Sequence, residues 1–417
     1  MTTADRGISR RSLLGLAGGA AAAGLAGVGV GRATADDDVP APASGQGGGT
    51  VPFHGEHQAG IATAAQDRLH FVSLDVVPGT TKADLADLMR EWTAAAATMV
   101  TGEPIGGPAE NQIQEVAPRD TGEASGLDPA RLTITAGFGA SLFDDRFGLA
   151  DRRPLRLTPL PHFADDDLDP DSSGGDLCIQ ACADDPQVAV HAVRNLVRLA
   201  HGLAIVRYSQ LGFGRTSSTT SAQVTPRNML GFKDGTANLR SDDAAAMRRH
   251  VWVQPGDERG DRAWITGGSY LVSRRIRMHI ETWDRDTLAD QEAVIGRQKL
   301  SGAPFGTDDE FAPLDLGKVD PRSHVRLAHP TQNDGVTLFR RGYSFVDGSD
   351  PLGRLESGLF FLAFMRDPQS FVTVQRNLAG KHGDLLNEYI VHVGSGLWAV
   401  PPGVRDTRDW WGRELLS

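Results

Sequence analysis

The stretch DLCIQACADDPQVAVHAVRNLVRLAHGLAIVRYSQL, residues 176–211, decides the fold. Asp176 to Ala183 is a short apolar run and predicts a strand. Pro186 to His201 carries apolar residues at helical spacing, with proline in the first turn, and Gly202 closes it. Leu203 to Leu211 returns as a strand. Upstream, Arg68 to Val76 is strand-like, Thr81 to Met99 is helical with Thr81 as a candidate N-cap, and Leu132 to Gly137 is a further strand. The order β-α-β-β-α-β is the ferredoxin-like signature, an antiparallel sheet with helices on one face. The second half repeats the scheme at low similarity. It has strands at Ser269 to Ile280, Val336 to Phe345 and Gly358 to Arg366, and helices at Arg285 to Lys299 and Gln369 to Leu378. The expected fold class is α+β, two ferredoxin-like units at 54–220 and 221–417.

The chain has 417 residues, 40% hydrophobic and 23% charged, which excludes a disordered protein and a multi-span membrane protein. Two cysteines exclude an iron–sulfur cluster held by four thiolates and a disulfide-dense scaffold. Cys178 and Cys182 lie four apart in one strand, on one face but about 13 Å apart, so they read as buried free thiols. The formal charge is −11. Nucleic acid is therefore not an expected partner.

Residues 1–35 read as an exported leader. Arg10 and Arg11 precede an uncharged run to Val30 that holds six glycines, and Ala33-Thr34-Ala35 offers a small-residue cleavage site. The arginine pair before a weakly apolar run fits a twin-arginine address, and hence the twin-arginine export machinery as partner. The mature chain is then periplasmic, cell-surface or secreted, with no stable membrane insertion after cleavage. That route carries folded proteins and suits a chain that takes up a cofactor first. Residues 36–53, rich in Pro, Gly and Asp, read as a disordered linker.

Three segments carry candidate chemistry. Gly231-Phe232-Lys233-Asp234-Gly235-Thr236-Ala237-Asn238 alone reads as an Asp-Gly turn. Ser323-His324-Val325-Arg326-Leu327-Ala328-His329-Pro330 has two histidines that alone read as surface or capping residues. In Leu338-Phe339-Arg340-Arg341-Gly342-Tyr343-Ser344-Phe345 the two arginines must face opposite sides of a strand, and Arg340 shares its face with Val336 and Leu338, so Arg340 is expected to be the one directed inward. A buried guanidinium needs an anion. Asp167, Asp169 and Asp171 begin a calcium-loop spacing, but Ser172 and Cys178 stand where glycine and glutamate are required, so a solvated acidic loop is expected.

Together, and in this order, these segments resemble the dye-decolourising peroxidases, in particular their exported branch, which includes deferrochelatases. His57-Gln58-Ala59-Gly60-Ile61, Gly268-Ser269-Tyr270-Leu271-Val272 and Arg277-Met278-His279 add to the resemblance, which spans about His54 to Trp398. It implies two ferredoxin-like units around one haem b. It also implies His324 as the iron ligand, with Asp384 as the carboxylate that orients it, a helix N-cap being the lesser alternative for Asp384. Asp234 would be the distal acid–base and Arg340 the permanent positive charge beside it. Gly235, Thr236 and Ala237 would run along the haem, His329, Pro330 and Thr331 would lie at its edge, and Arg277 and His279 would meet its propionates. The implied activity is reduction of hydrogen peroxide with oxidation of dyes or other small aromatic reductants. The alternatives are haem iron release of the deferrochelatase kind and a non-catalytic haem carrier, which would need neither Asp234 nor Arg340.

Overall fold

The computed structural model describes residues 49–380 and 383–417. The expected leader and most of the expected linker lie outside these residues. The end of that linker is corrected: the Arg131 amide donates to Gly49 O at 2.9 Å, and Phe53 packs on Trp411 with ring centroids 5.4 Å apart, so the chain is already folded ahead of His54. No helix among the described residues is long and apolar enough to cross a membrane.

The strands are β1 (Arg68–Val76), β2 (Thr133–Gly139), β3 (Leu177–Ala183), β4 (Ala204–Arg215), β5 (Ser269–Met278), β6 (Phe339–Arg340), β7 (Tyr343–Ser349), β8 (Leu355–Met365) and β9 (Ile390–Val400). Among the described residues they form one sheet in the order β5-β9-β2-β3-β1-β4-β7-β8-β6. β5 also pairs with β8, so eight strands close into a ring and β6 hangs on β8. Each half contributes four ring strands in the order fourth, first, third, second: β4-β1-β3-β2 and β9-β5-β8-β7. The halves meet where β2 pairs with β9 and β4 with β7. The ring matters because a closed sheet has no free edges and holds both halves in one hydrogen-bonded frame.

Strand alternation separates two cores. One face of the sheet sends Leu69, Phe71, Cys178, Cys182, Leu271, Tyr343, Phe345, Phe360, Leu362 and Trp398 into a common cluster inside the ring. Both cysteines are buried there and free, as expected. On the opposite face of the first half, Val72, Leu74, Ile134 and Ile179 pack under α1 (Lys82–Met99) and α2 (Pro186–Leu199). Thr81 caps α1 with a reciprocal bond to Asp84, and the Asp185 side chain caps α2. Each cap is worth about 1 kcal/mol.

The second half departs from expectation in three places. The helix expected at 285–299 is shorter, Leu288–Ile295, because Gly296 adopts the left-handed conformation and stops it. The strand expected at 336–345 is split into β6 and β7 at Arg341 and Gly342. β9 had no strand signal because Gly394 and Gly396 interrupt its apolar pattern. Gly396 is required: a Cβ there would lie within 2 Å of the Trp398 ring, at 1.9 Å.

On β8, Phe360 and Leu362 face the ring interior, so Leu359, Phe361 and Ala363 face outward. Arg340 pairs with Ala363, Arg274 with Phe361 and Ile276 with Leu359, which puts all three on the same outward face. There Arg274 forms a fully buried ion pair with Asp166, and its Nε donates to His392 Nδ1 at 3.2 Å. Burial first, and the Arg274 charge second, push the His392 pKa down to about 3. The unfolded chain takes this proton near pH 6.5, so stability falls as pH drops below that value and goes on falling toward pH 3. This histidine is expected to cost about 2 kcal/mol at pH 5. His392→Gln, which keeps an acceptor for Arg274, is expected to flatten the fall in melting temperature between pH 7.5 and pH 5. An unchanged slope would show that other groups govern it.

Candidate functional site

The segment after β4 builds one wall of the site. Asn228 organises its turn: the side-chain oxygen accepts from the Leu230 and Phe232 amides at 3.1 and 3.3 Å. The turn then brings the Asp234 amide to Pro226 O at 2.9 Å. Gly235 has φ +89°, and a Cβ on it would lie 2.9 Å from Ser217 Cα, so only glycine fits. Asn238 fastens the segment to β6: its Oδ1 accepts from the Arg340 amide at 2.8 Å and its Nδ2 donates to Arg340 O at 2.9 Å. This clasp sets Arg340 Nη1 2.7 Å from Asp234 Oδ1. Asp234 Oδ2 has a longer bond, from Asn228 Nδ2 at 3.3 Å. The Arg340 and Asp234 side chains are 27% and 15% exposed, so both reach an accessible space.

His324 opens a single helical turn, His324–Leu327, after Ser323. Its Nδ1 lies 2.5 Å from Asp384 Oδ2. The other Asp384 oxygen accepts from the Leu386 amide at 2.9 Å, so one carboxylate both caps the turn Leu385–Glu388 and bonds the imidazole. Arg322 joins the two segments, since its carbonyl accepts from the Leu385 amide at 3.0 Å and its Nε donates to Gly383 O at 3.0 Å. Asp165 Oδ2 accepts from the Gly380 amide and the Asn387 side chain at 2.7 and 2.9 Å, bracing the Asp384 loop from both ends. Burial opposes a charge on His324, but the Asp384 carboxylate outweighs it and raises the imidazole pKa. Asp234 also raises it and Arg340 lowers it, which places that pair within electrostatic range of His324 without a bond between them.

The remaining expected residues are spread around this group. Thr236 bonds Glu310 at 3.0 Å, and Ala237 is exposed. His329 caps the turn Pro330–Gln332, its Nδ1 2.8 Å from Thr331 Oγ1. Arg277 is different. It alternates with Ile276 on β5, so it springs from the other face of the sheet and lies near Asp350 and Glu356 at 3.8 and 3.7 Å. His279 follows β5 in a field of Arg277, Arg354, Glu281 and Glu356, and burial and the nearby arginines lower its pKa. Among the described residues no hydrogen bond or ion pair joins Arg277 or His279 to the Asp234, Arg340 and His324 group. Two motif residues near the start of the fold are structural. Gln58 bonds Ala136 and Pro401 carbonyls, and a Cβ on Gly60 would collide with Thr135. Sequence reasoning missed Asn228, Asn238 and Glu310, though Asn238 lay inside the quoted segment.

These residues fit a haem. His324 sits deep in the chain, yet its side chain is 33% exposed, so it faces an internal space, and its Nε2 has no partner among the described residues. Val325 and Leu385, the chain neighbours of His324 and Asp384, pack with Ile280 and Leu359 against one apolar cluster that includes Phe232 and Trp283. No group of three or more His, Cys, Asp or Glu gathers among the described residues to hold a metal. An iron bound by His324 must therefore bring most of its ligands, as a porphyrin does.

Comparison with known proteins agrees. Residues 58–214 match the family model for the N-terminal part of Dyp-type peroxidases, and residues 225–405 match that for the C-terminal part. The deferrochelatase of Escherichia coli is 38% identical over 376 residues, covering 88% of this chain and 87% of that protein. Ferric DtpA from Streptomyces lividans superposes with a TM-score of 0.80 at 39% identity, covering 90% of this chain and 99% of that one. A DyP-type peroxidase from Cellulomonas bogoriensis superposes with a TM-score of 0.77 at 38% identity, covering 89% and 99%.

Proposed function

The chain belongs to the Dyp-type peroxidase family, an enzyme family of haem-dependent oxidoreductases using haem b, and we propose that it reduces hydrogen peroxide at Asp234 and Arg340 while oxidising dyes or other small aromatic reductants. The observation that carries this reading is the Arg340–Asp234 pair at 2.7 Å, within electrostatic range of an imidazole that Asp384 holds at 2.5 Å. Haem b, when bound, supplies the electron transfer between peroxide and reductant.

The chain's own residues do the rest. His324 would hold the iron through Nε2, because Nδ1 is committed to Asp384, and that bond fixes ring orientation. Asp234 Oδ1 is committed to Arg340, so Oδ2 is the atom that takes a proton from one peroxide oxygen and returns it to the other. Arg340 stays positively charged and stabilises the negative charge that develops as the oxygen–oxygen bond breaks. Gly235 lets the backbone come close to the cofactor, and Thr236, Ala237, His329, Pro330 and Thr331 are assigned to its surroundings. Arg277 and His279 are assigned to its propionates. Each half is read as a ferredoxin-like unit, 54–220 and 221–417, on its strand order.

A second reading is favoured by the name of the curated relatives, deferrochelatase: release of iron from haem in the same pocket. Product analysis separates the two. Peroxidase action leaves iron in the porphyrin and consumes dye with peroxide, whereas iron release yields iron-free porphyrin. A carrier would do neither.

Export by the twin-arginine route rests on Arg10 and Arg11. Replacing both by lysine is expected to trap precursor in the cytoplasm. Mature protein outside the cell at normal yield would refute that route.

A further inference from the structure

Glu310 belongs to none of the three sequence motifs, yet it grips the distal segment on both sides of Asp234. Its Oε1 accepts from Thr236 Oγ1 at 3.0 Å, and its Oε2 pairs with the Lys233 ammonium. The Glu310 side chain is only 10% exposed. Those partners stand one residue before and two residues after Asp234, so one carboxylate spans the turn that carries the proposed proton-moving group.

Glu310 is itself held in place. Arg297 Nη1 donates to Glu310 O and Gly302 O at 2.9 and 2.8 Å. Gly302 has φ +74°, and a Cβ there would come within 2.7 Å of the Lys233 stem, so that stem lies flat against the strap formed by residues 297–312. Arg227 ties the other side through the Gly231, Lys299 and Leu300 carbonyls. The strap and the Asp234 turn are therefore one braced unit. Lys233 donates along it to Glu310, and Asp234 is left to Arg340 and Asn228.

We propose that Glu310 is a positioning residue for peroxide reduction, clasping Lys233 and Thr236 so that Asp234 is held at Arg340. This rests on the proposed role of Asp234. Glu310→Gln keeps an acceptor for Thr236 and removes the charge that binds Lys233, and Lys233→Gln removes the other partner. Each variant of the haem-loaded enzyme is expected to lower kcat/KM for peroxide about tenfold or more, as small misplacements of a reacting group do. KM for the dye and haem content should stay near parental values. Hydrogen exchange of the amides at 232–236 should speed up. The double variant should be no slower than the worse single, because both changes open one clasp.

Parental peroxide rates in Glu310→Gln, or losses that multiply in the double variant, would overturn the proposal. Asp234→Asn is measured beside them. If Asp234→Asn is slow and Glu310→Gln is not, only the clasp fails. If Asp234→Asn keeps the parental rate, the distal assignment fails and the clasp with it.

Discussion

His324→Ala is expected to fold and to lose most of its haem affinity. The imidazole is a third exposed, and the core clusters do not depend on it. Its removal leaves Asp384 Oδ2 unpaired in a buried place, a cost of about 1–3 kcal/mol that a domain of this size survives. Haem binding is affected far more, since the substitution deletes the protein's bond to iron. Loss of an outer partner such as Asp384 alone typically weakens metal binding by about 10–100-fold, so loss of the ligand itself should exceed that. Haem content and the Soret band after reconstitution decide it. An unchanged band in His324→Ala would remove His324 from the role and pass it to His329, five residues on.

The second large effect divides labour between Asp234 and Arg340. Asp234 can transfer a proton, and Arg340 cannot, because a guanidinium stays protonated at any working pH. Asp234→Asn keeps the shape and an acceptor for Arg340 but cannot take the proton at Oδ2. It should slow the reaction with peroxide by about 10²–10⁴-fold and flatten the acidic limb of its pH profile. Arg340→Leu should slow the reaction across the whole range, since it removes a charge that does not titrate there. It also leaves Asp234 Oδ1 without its partner, so part of its loss is positional. Stopped-flow rates between about pH 4 and 8, a range that extends from an ordinary carboxylate to well above it, separate the two. If Asp234→Asn keeps the parental rate and pH dependence, the proton travels by another group and Asp234 is a turn residue.

The first half was legible because its signals are local. Arg68–Val76 is rich in apolar residues and buried on both faces, and Thr81 and Asp185 cap their helices as short-range chemistry demands. The ring was not legible. β9 closes it, but Gly394 and Gly396 give way to the bulk of Arg275 and Trp398, and that reason exists only in three dimensions. The split between β6 and β7 has the same kind of cause, since a Cβ on Gly342 would press on Thr216 Oγ1 at 2.8 Å. In the site, alternation alone set Arg340 and Arg341 on opposite faces, but it is Arg341 that is fully buried, bonded to Thr63 and Gln66, while Arg340, expected to be the inward one, stays 27% exposed. Arg277 stood in a quoted motif, but only its register on β5 shows that it springs from the opposite face of the sheet to Arg340. Glu310 was invisible because it acts across a separation of 77 residues through a lysine that no spacing rule links to it.

The central claim is that this pocket carries out peroxide-dependent oxidation with its haem kept whole. Its most direct test is the absorption spectrum of haem-loaded protein mixed rapidly with one equivalent of hydrogen peroxide, followed by an aromatic reductant. The Soret band is expected to change within the mixing experiment and to return when the reductant is added, with iron and porphyrin recovered together. A spectrum that peroxide leaves unchanged, or one that decays to iron-free porphyrin, would contradict that claim.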